Sequence, residues 1–311
     1  MDSYQRLLVV IDEHDFSFKA VSRAVYMASR THASIIVMIL EHSNFVNRLV
    51  DTFEHGDNQA NGGNQPCTIE KKRQCIDEFI KSTSRTGISI SRASISCHSS
   101  DDVLQFCHDF NVDAVVVAAS RHHLWNWLTI KPLDVRLVRE AAQPVVVVKD
   151  HVWQPGGHIL SFVEPCTDDQ EHRALNETVL QTSEHFTHLL DGDCHLIDCY
   201  YGETPSISFH QPISPKADEQ YHLKQMSLYS NQYHLLPDNM KLPNDHLHVA
   251  KALPEDAIES ISKQVDSELV IVGDMGHSNL LSNMCGNVAE LVIHRINCDL
   301  LVVKPSRSAY Q

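Results

Sequence analysis

The sequence predicts two tandem α/β domains, each a doubly wound, mainly parallel sheet covered by helices. Three observations predict it. Uninterrupted apolar runs such as 114–118 (AVVVA) and 144–149 (PVVVVK) have the composition of strands buried on both faces. Such runs alternate with segments of helical period, the order from which βαβ units are built. The pattern then repeats at a constant offset of 155: 114–118 falls on 269–273, 101–103 on 256–258, and 147–149 on 302–304. At the same offset Leu133, Leu137 and Val138 fall on Val288, Val292 and Ile293. A chain of 311 residues is long enough to give each copy its own core. Duplication predicts two copies packed about a pseudo-twofold axis, as a covalent version of a symmetric dimer that can dimerise again.

The first copy occupies 1–150. It opens with a strand at 6–11 (RLLVVI). A helix follows over 18–31, where Ala20, Val21, Ala24, Val25 and Ala28 have the spacing of one helical face. Residues 34–40 (SIIVMIL) read as the second strand and 51–65, rich in Gly and Asn, as a loop. A helix over 69–84, a strand near 88–97, a short helix over 101–110 and the strands 114–118 and 144–149 complete the copy. Residues 151–157 (HVWQPGG) read as a linker, and the second copy occupies 158–306. Its order is a strand at 159–163, a helix over 172–189 and a strand at 194–200. A polar, proline-bearing stretch over 202–245 follows, with one helix near 217–230. The copy closes with a strand at 247–250, a helix over 255–263, a strand at 269–272, a helix over 286–295 and a strand at 300–304.

Composition excludes several classes of function. The chain carries 40 acidic and 25 basic residues, a formal charge of −15, which disfavours direct nucleic-acid binding and docking on anionic membranes. The longest apolar runs fall well short of the roughly 20 residues that span a bilayer. The polar start, leading straight into a strand, has no leader pattern, so the expected location is the cytoplasm. Nine cysteines without a CxxC pair read as reduced thiols rather than a disulfide framework. Catalytic signatures are absent: there is no GxxxxGK[ST], no GxSxG and no GxGxxG.

One constellation carries chemistry. After the strand at 269–272 come Gly273 and Gly276, then nine residues, then Gly286, Asn287 and Val288 at the start of a helix. Glycines allow close backbone approach, and a helix N-terminus offers free N–H groups to phosphate. The same residues also suit a tight turn and an N-cap, and spacing alone leaves both readings open. His246 and His248, two apart where a strand begins, can share one face and are the metal candidates, though no closed ligand set accompanies them. His277 beside Gly276 reads either as a phosphate contact or as a solvated loop residue. Asp12, Glu13 and Asp15, and likewise Asp168 and Asp169, follow the first strand of each copy; they read as helix-start acids or as Mg²⁺ ligands.

These residues resemble the universal stress protein family, in its tandem two-domain E type. Gly273, Gly276, Gly286 and Asn287 match its GxxGx9G pattern followed by a small polar residue, and 288–293 with 298–305 match its closing helix and strand. Residues 9–30, 148–157 and 172–177 (HRALNE) look like its first strand and helix, its junction and its second-domain helix. The resemblance implies five-stranded Rossmann-like domains and, in some members, ATP or AMP bound with Mg²⁺. It implies Glu164 on the adenine or ribose side, Ile197 against the adenine, and Gly276, His277, Gly286 and Asn287 on the phosphates. Asn287 stands where Ser or Thr is usual, and Glu164 is a methylene longer than the usual Asp. In the first copy Ala118, Arg121, Lys131 and Pro132 replace the glycines and Asn287, which removes that binding mode there. The implied function is a non-catalytic stress sensor or adaptor acting through protein partners, with a role in resistance to DNA damage. A slow ATPase or phosphotransferase and a nucleotide-free scaffold are the alternatives.

Overall fold

The structure, a computed structural model, describes residues 4–12, 18–41, 69–94, 97–120, 132–200, 215–233, 235, 241–275 and 288–305. The chain divides into two compact units, Met1–Leu137 and Val138–Gln311. In the first, β1 (Arg6–Asp12), α1 (Lys19–Thr31), β2 (Ser34–Leu40), α2 (Ile69–Ser84), β3 (Ile90–Arg92), α3 (Ser100–Asp109) and β4 (Ala114–Ala118) succeed one another. Helix α4 (Leu133–Glu140) crosses the division. The strands of this unit are parallel, in the order β3-β2-β1-β4.

Local chemistry explains these elements. Leu7 to Ile11 are all buried, as befits a strand flanked on both sides and covered on both faces. Helix α1 buries Ala20, Val21, Ala24, Met27 and Ala28, one stripe at helical spacing. Helix α3 starts on a capping box: the Asp102 N–H donates to Ser99 Oγ at 3.2 Å, and the Ser99 N–H donates to Asp102 Oδ2 at 3.0 Å. A third donor, the His98 N–H at 2.8 Å, holds the Asp102 carboxyl below its ordinary range. The strand expected over 88–97 is only β3, with an isolated bridge between Leu40 and Cys97. Two of the three residues of β3 are exposed, so little burial supports a longer strand there.

The second unit contains β5 (Val145–Val148), β6 (His158–Phe162), α5 (Gln170–Leu190), β7 (Asp193–Cys199), α6 (Pro215–Ser230) and β8 (Leu247–Ala250), preceded by a 3-10 turn at Asn244–His246. It continues with α7 (Pro254–Gln264), β9 (Ser267–Gly273), α8 (Val288–Val292) and β10 (Asp299–Val303). Its strands lie in the order β5-β10-β9-β6-β7-β8. All pair in parallel except β5, which runs antiparallel to β10 with Val146 opposite Leu301. By sequence β5 closes the first repeat; it falls in the second unit, where it pairs with β10.

Side-chain parity assigns faces in this sheet. Ser161 pairs with Leu196, and Ser161 Oγ meets Ser183 of α5 at 2.6 Å, so α5 covers the face of Ser161, Leu196 and Asp198. Helix α6 reaches the same face, because His222 contacts Asp198. The path from β8 to β9 reverses direction across the sheet, so a right-handed crossover puts α7 on the opposite face. The segment 151–157, a linker by composition, is mostly exposed but anchored at Trp153, which is 3% exposed and stands edge-on to Phe186 at 6.0 Å. Cys75, Cys97, Cys107, Cys166, Cys194, Cys199 and Cys298 are free thiols. Among the described residues no helix is long and apolar enough to cross a membrane.

Candidate functional site

Strand β6 has β7 on one side and β9 on the other. The chain leaves β6 toward β7 and later enters β9 on the opposite side. The helices that follow β6 and β9 therefore diverge, and a crevice opens at the carboxyl ends of these two strands, the usual ligand position in open α/β sheets. Ser161 pairs with Ile271, so the crevice is bordered by the residues just beyond Val163 and Gly273.

Glu164 is the first exposed residue after β6, and its backbone is held from both ends. Its N–H donates to Asn176 Oδ1 at 3.0 Å, and its carbonyl accepts from Asn176 Nδ2 at 2.9 Å. Asn176 is buried in α5, so this paired amide contact fixes the loop to the helix. The Glu164 carboxylate is half-exposed, with His172 Nε2 at 3.9 Å. Asp169 caps α5, accepting from the His172 N–H at 3.1 Å. Asp168 lies in the solvent beside Arg173 at 3.5 Å.

Gly273 ends β9 against α5. A Cβ there would lie 2.5 Å from the Leu175 Cγ, so the absent side chain makes room for helix packing. Leu175 and Asn176, adjacent in α5, thus meet both borders of the crevice. Asp274 follows, buried; its N–H donates to the Val303 carbonyl at 2.8 Å and its carboxylate pairs with Lys304. Val288 opens α8 and is partly exposed. Gly276, His277, Gly286 and Asn287 lie outside the described residues, as do Arg121 and Lys131. Ile197 is fully buried inside β7, between Phe162 and His248 in register. Gly273→Ala is expected to cost about 1–3 kcal/mol by overpacking. A urea double-mutant cycle with Leu175→Ala checks this: the alanine penalty shrinks in the Leu175→Ala background, and an unchanged penalty would refute the packing role.

The first repeat differs at the corresponding place. Asp134, in the first turn of α4, is 1% exposed. Its carboxylate accepts from the Ser120 N–H at 2.9 Å, the Ser120 hydroxyl at 3.0 Å and the Val135 N–H at 3.0 Å. By the repeat offset Ser120 corresponds to Met275 of the glycine loop, and Asp134 to Ala289. An internal carboxylate therefore joins the loop after β4 to the closing helix in the first copy, where the second copy has a methyl group.

His246 and His248 belong to a patch of four imidazoles. His195 Nδ1 lies 3.1 Å from His248 Nε2, and His195 Nε2 lies 3.2 Å from His158 Nδ1. The His246 ring stacks on His195 with centroids 4.1 Å apart, and its Nδ1 lies 2.9 Å from the Cys194 carbonyl. Burial, with three neighbouring imidazoles behind it, pushes His195 down to about 3; burial lowers His248 as well. Among the described residues this patch gives no three converging metal-ligand atoms.

One group escaped the sequence reading. Cys166, Asp198 and His222 bring one sulfur, one carboxylate oxygen and one ring nitrogen within 4.8 Å of one another. His222 Nδ1 is 2.5 Å from Asp198 Oδ2 and 3.5 Å from Cys166 Sγ. Asp198 is buried, and burial pushes its carboxyl up to about 6 against the pull of His222. Burial pushes the Cys166 thiol up to about 11. The available signal was Asp198 itself, an acid inside the apolar run LIDC; its partners come from a turn and a helix, distant in sequence.

Comparison with known proteins agrees with this architecture. The model of the universal stress protein family matches residues 3–149 and again 170–304. The chain belongs to the universal stress protein family. It is 27% identical over 317 residues to Universal stress protein E of Escherichia coli K12, spanning 99% of this chain and 96% of that protein. Its identity to the Universal stress protein E homolog of Haemophilus influenzae is 22% over 312 residues, spanning 98% of each. A universal stress protein structure from Pseudomonas aeruginosa UCBPP-PA14 superposes with a TM-score of 0.72 at 18% identity, over 98% of this chain and 94% of that one. The tandem family and the fold expected from the repeat are thus established.

Proposed function

We propose that the second repeat binds an adenine nucleotide, ATP or AMP, over the carboxyl ends of β6 and β9. In this reading the protein is a non-catalytic stress sensor or adaptor in the cytoplasm. It signals nucleotide state to protein partners, in resistance to DNA damage and other stresses. The supporting observation is the clamped Glu164 at the crevice between β6 and β9. A carboxylate on a fixed backbone suits the hydroxyls of a ribose, and the Gly276 to Asn287 segment, by its pattern, suits phosphates. Mg²⁺ would enter with ATP and neutralise phosphate charge beside an acidic chain. The first repeat, with Asp134 where an anion would sit, is the partner-facing copy.

The test is to denature freshly purified full-length protein, identify released small molecules, and titrate ATP by calorimetry. About one adenine nucleotide per chain is expected. Gly276→Val is expected to lower affinity at least about tenfold, equal to 1.4 kcal/mol, with an unchanged circular dichroism spectrum. The absence of both released nucleotide and heat of binding would refute the reading. Release of γ-phosphate during incubation with Mg²⁺ would replace the sensor by an ATPase.

A further inference from the structure

We infer that Cys166, Asp198 and His222 form a binding site for a zinc-class divalent transition metal at the carboxyl end of the second repeat's sheet. The inference is independent of nucleotide binding, which rests on Glu164 and the glycine segment.

Three features carry it. The first is the donor set. A thiol sulfur, an imidazole nitrogen and a carboxylate oxygen are the mixed ligands of borderline metals, and a thiolate selects against Mg²⁺ and Ca²⁺. The second is convergence. Asp198 Oδ2 and Cys166 Sγ both aim at the same nitrogen, His222 Nδ1. A ring nitrogen has one proton or one lone pair, so it satisfies one of two such neighbours, whereas an ion among the three satisfies all. Zinc bonds of 2.0–2.3 Å at tetrahedral angles put ligand atoms roughly 3.3–3.6 Å apart. The thiol–imidazole separation of 3.5 Å already matches. The carboxylate has to retreat from the imidazole by about 1 Å as the ion replaces their shared proton.

The third feature is how the ligands are held. Asp198 projects from β7 on the face covered by α5 and α6, and is 2% exposed. The neighbouring Cys199 points to the other face, so strand parity excludes it. The His222 ring is sandwiched: Tyr200 stacks on it at 5.2 Å and Tyr221 meets it edge-on at 6.2 Å. Such outer contacts orient an imidazole ligand. Among the described residues no fourth His, Cys or carboxylate joins the group. Three protein ligands with one open position are the pattern of a metal that exchanges water or a ligand.

The test uses the full-length chain, stripped with a chelator and titrated with Co²⁺, then with Zn²⁺ as competitor. We expect one Co²⁺ per chain, a thiolate-to-cobalt charge-transfer band, and its loss on adding one equivalent of Zn²⁺. Cys166→Ser removes the band. Asp198→Asn and His222→Gln, near-isosteric and checked for fold by circular dichroism, each weaken Zn²⁺ by about 100-fold or more. His195→Gln, in the imidazole patch, leaves the site unchanged. Absence of the band in the wild-type chain, its survival in Cys166→Ser, or loss of the metal in His195→Gln but not in His222→Gln would each overturn the assignment.

Discussion

Replacing Asp134 with alanine is expected to cost about 2–3 kcal/mol, because it strands three donors in the first repeat, one buried and two half-buried. The Ser120 N–H, the Ser120 hydroxyl and the Val135 N–H all point at this carboxylate. An unpaired buried donor costs about 1–3 kcal/mol, and the hydroxyl can turn away while the two amides cannot. The first turn of α4 also loses a negative charge at its positive end. Asp134→Asn keeps one acceptor oxygen and is expected to cost less than alanine. Urea unfolding measures the totals, and amide exchange locates them, with faster exchange in β1 and β4 and unchanged exchange in β6 and β9. Formate is expected to restore stability to Asp134→Ala and not to the wild type, since a small anion fits the vacated position. An alanine cost under about 1 kcal/mol, or no formate effect, would show that Asp134 does not stand in for a bound anion.

The same residue shows what a sequence displays and what it conceals. The repeat offset already aligned Leu133 with Val288 and 114–118 with 269–273, because strand and helix periods are local patterns. The parallel sheets and most element positions followed from such patterns, and the family from the resemblance of Gly273, Gly276, Gly286, Asn287 and the closing helix and strand. Replacement of Gly273 by Ala118 and of Asn287 by Pro132 was equally visible. The occupant was not: Asp134 meets Ser120 across 14 residues, through a geometry that no period encodes. Asn176 is a similar case. It was legible as part of HRALNE, but its clamp on Glu164 spans 12 residues and depends on the angle between α5 and β6. Gly273 shows the reverse. Its place in the GxxGx9G pattern was plain, whereas its contact with Leu175 needed the packed helix. The Cys166, Asp198 and His222 group lies furthest from legibility, because three unrelated elements supply one residue each.

Acid is expected to unfold the protein earlier than its carboxylates alone would require, and His195 is the cause. Burial and its imidazole neighbours hold His195 at about 3 in the native state. In the unfolded chain a histidine titrates near 6.5. Between these values the unfolded chain binds a proton that the native protein refuses. The associated stability is therefore complete above about pH 6.5 and is lost as pH falls, at about 1.4 kcal/mol per pH unit per proton. His248, lowered by burial and by His246, acts in the same direction. Asp198 acts in the opposite one. Its carboxyl is raised to about 6, so between that pH and the ordinary carboxylate range the native state holds a proton that the unfolded chain has lost, and stability rises as pH falls. Asp198 stands against His195, while His248 and His185, both lowered by burial, add to the side of His195. Urea midpoints measured from pH 7 to 4.5 are expected to fall throughout. His195→Gln should reduce the slope by about 1.4 kcal/mol per pH unit, and Asp198→Asn should steepen it. Equal slopes for the wild type and His195→Gln would mean that His195 titrates in the native protein as it does in the unfolded chain. The chain of imidazoles from His158 through His195 to His248 would then take up charge as pH falls through about 6.5, and below that pH the hydrogen bonds of 3.2 and 3.1 Å that join them would have to be reassigned to a cationic ring donating from both nitrogens.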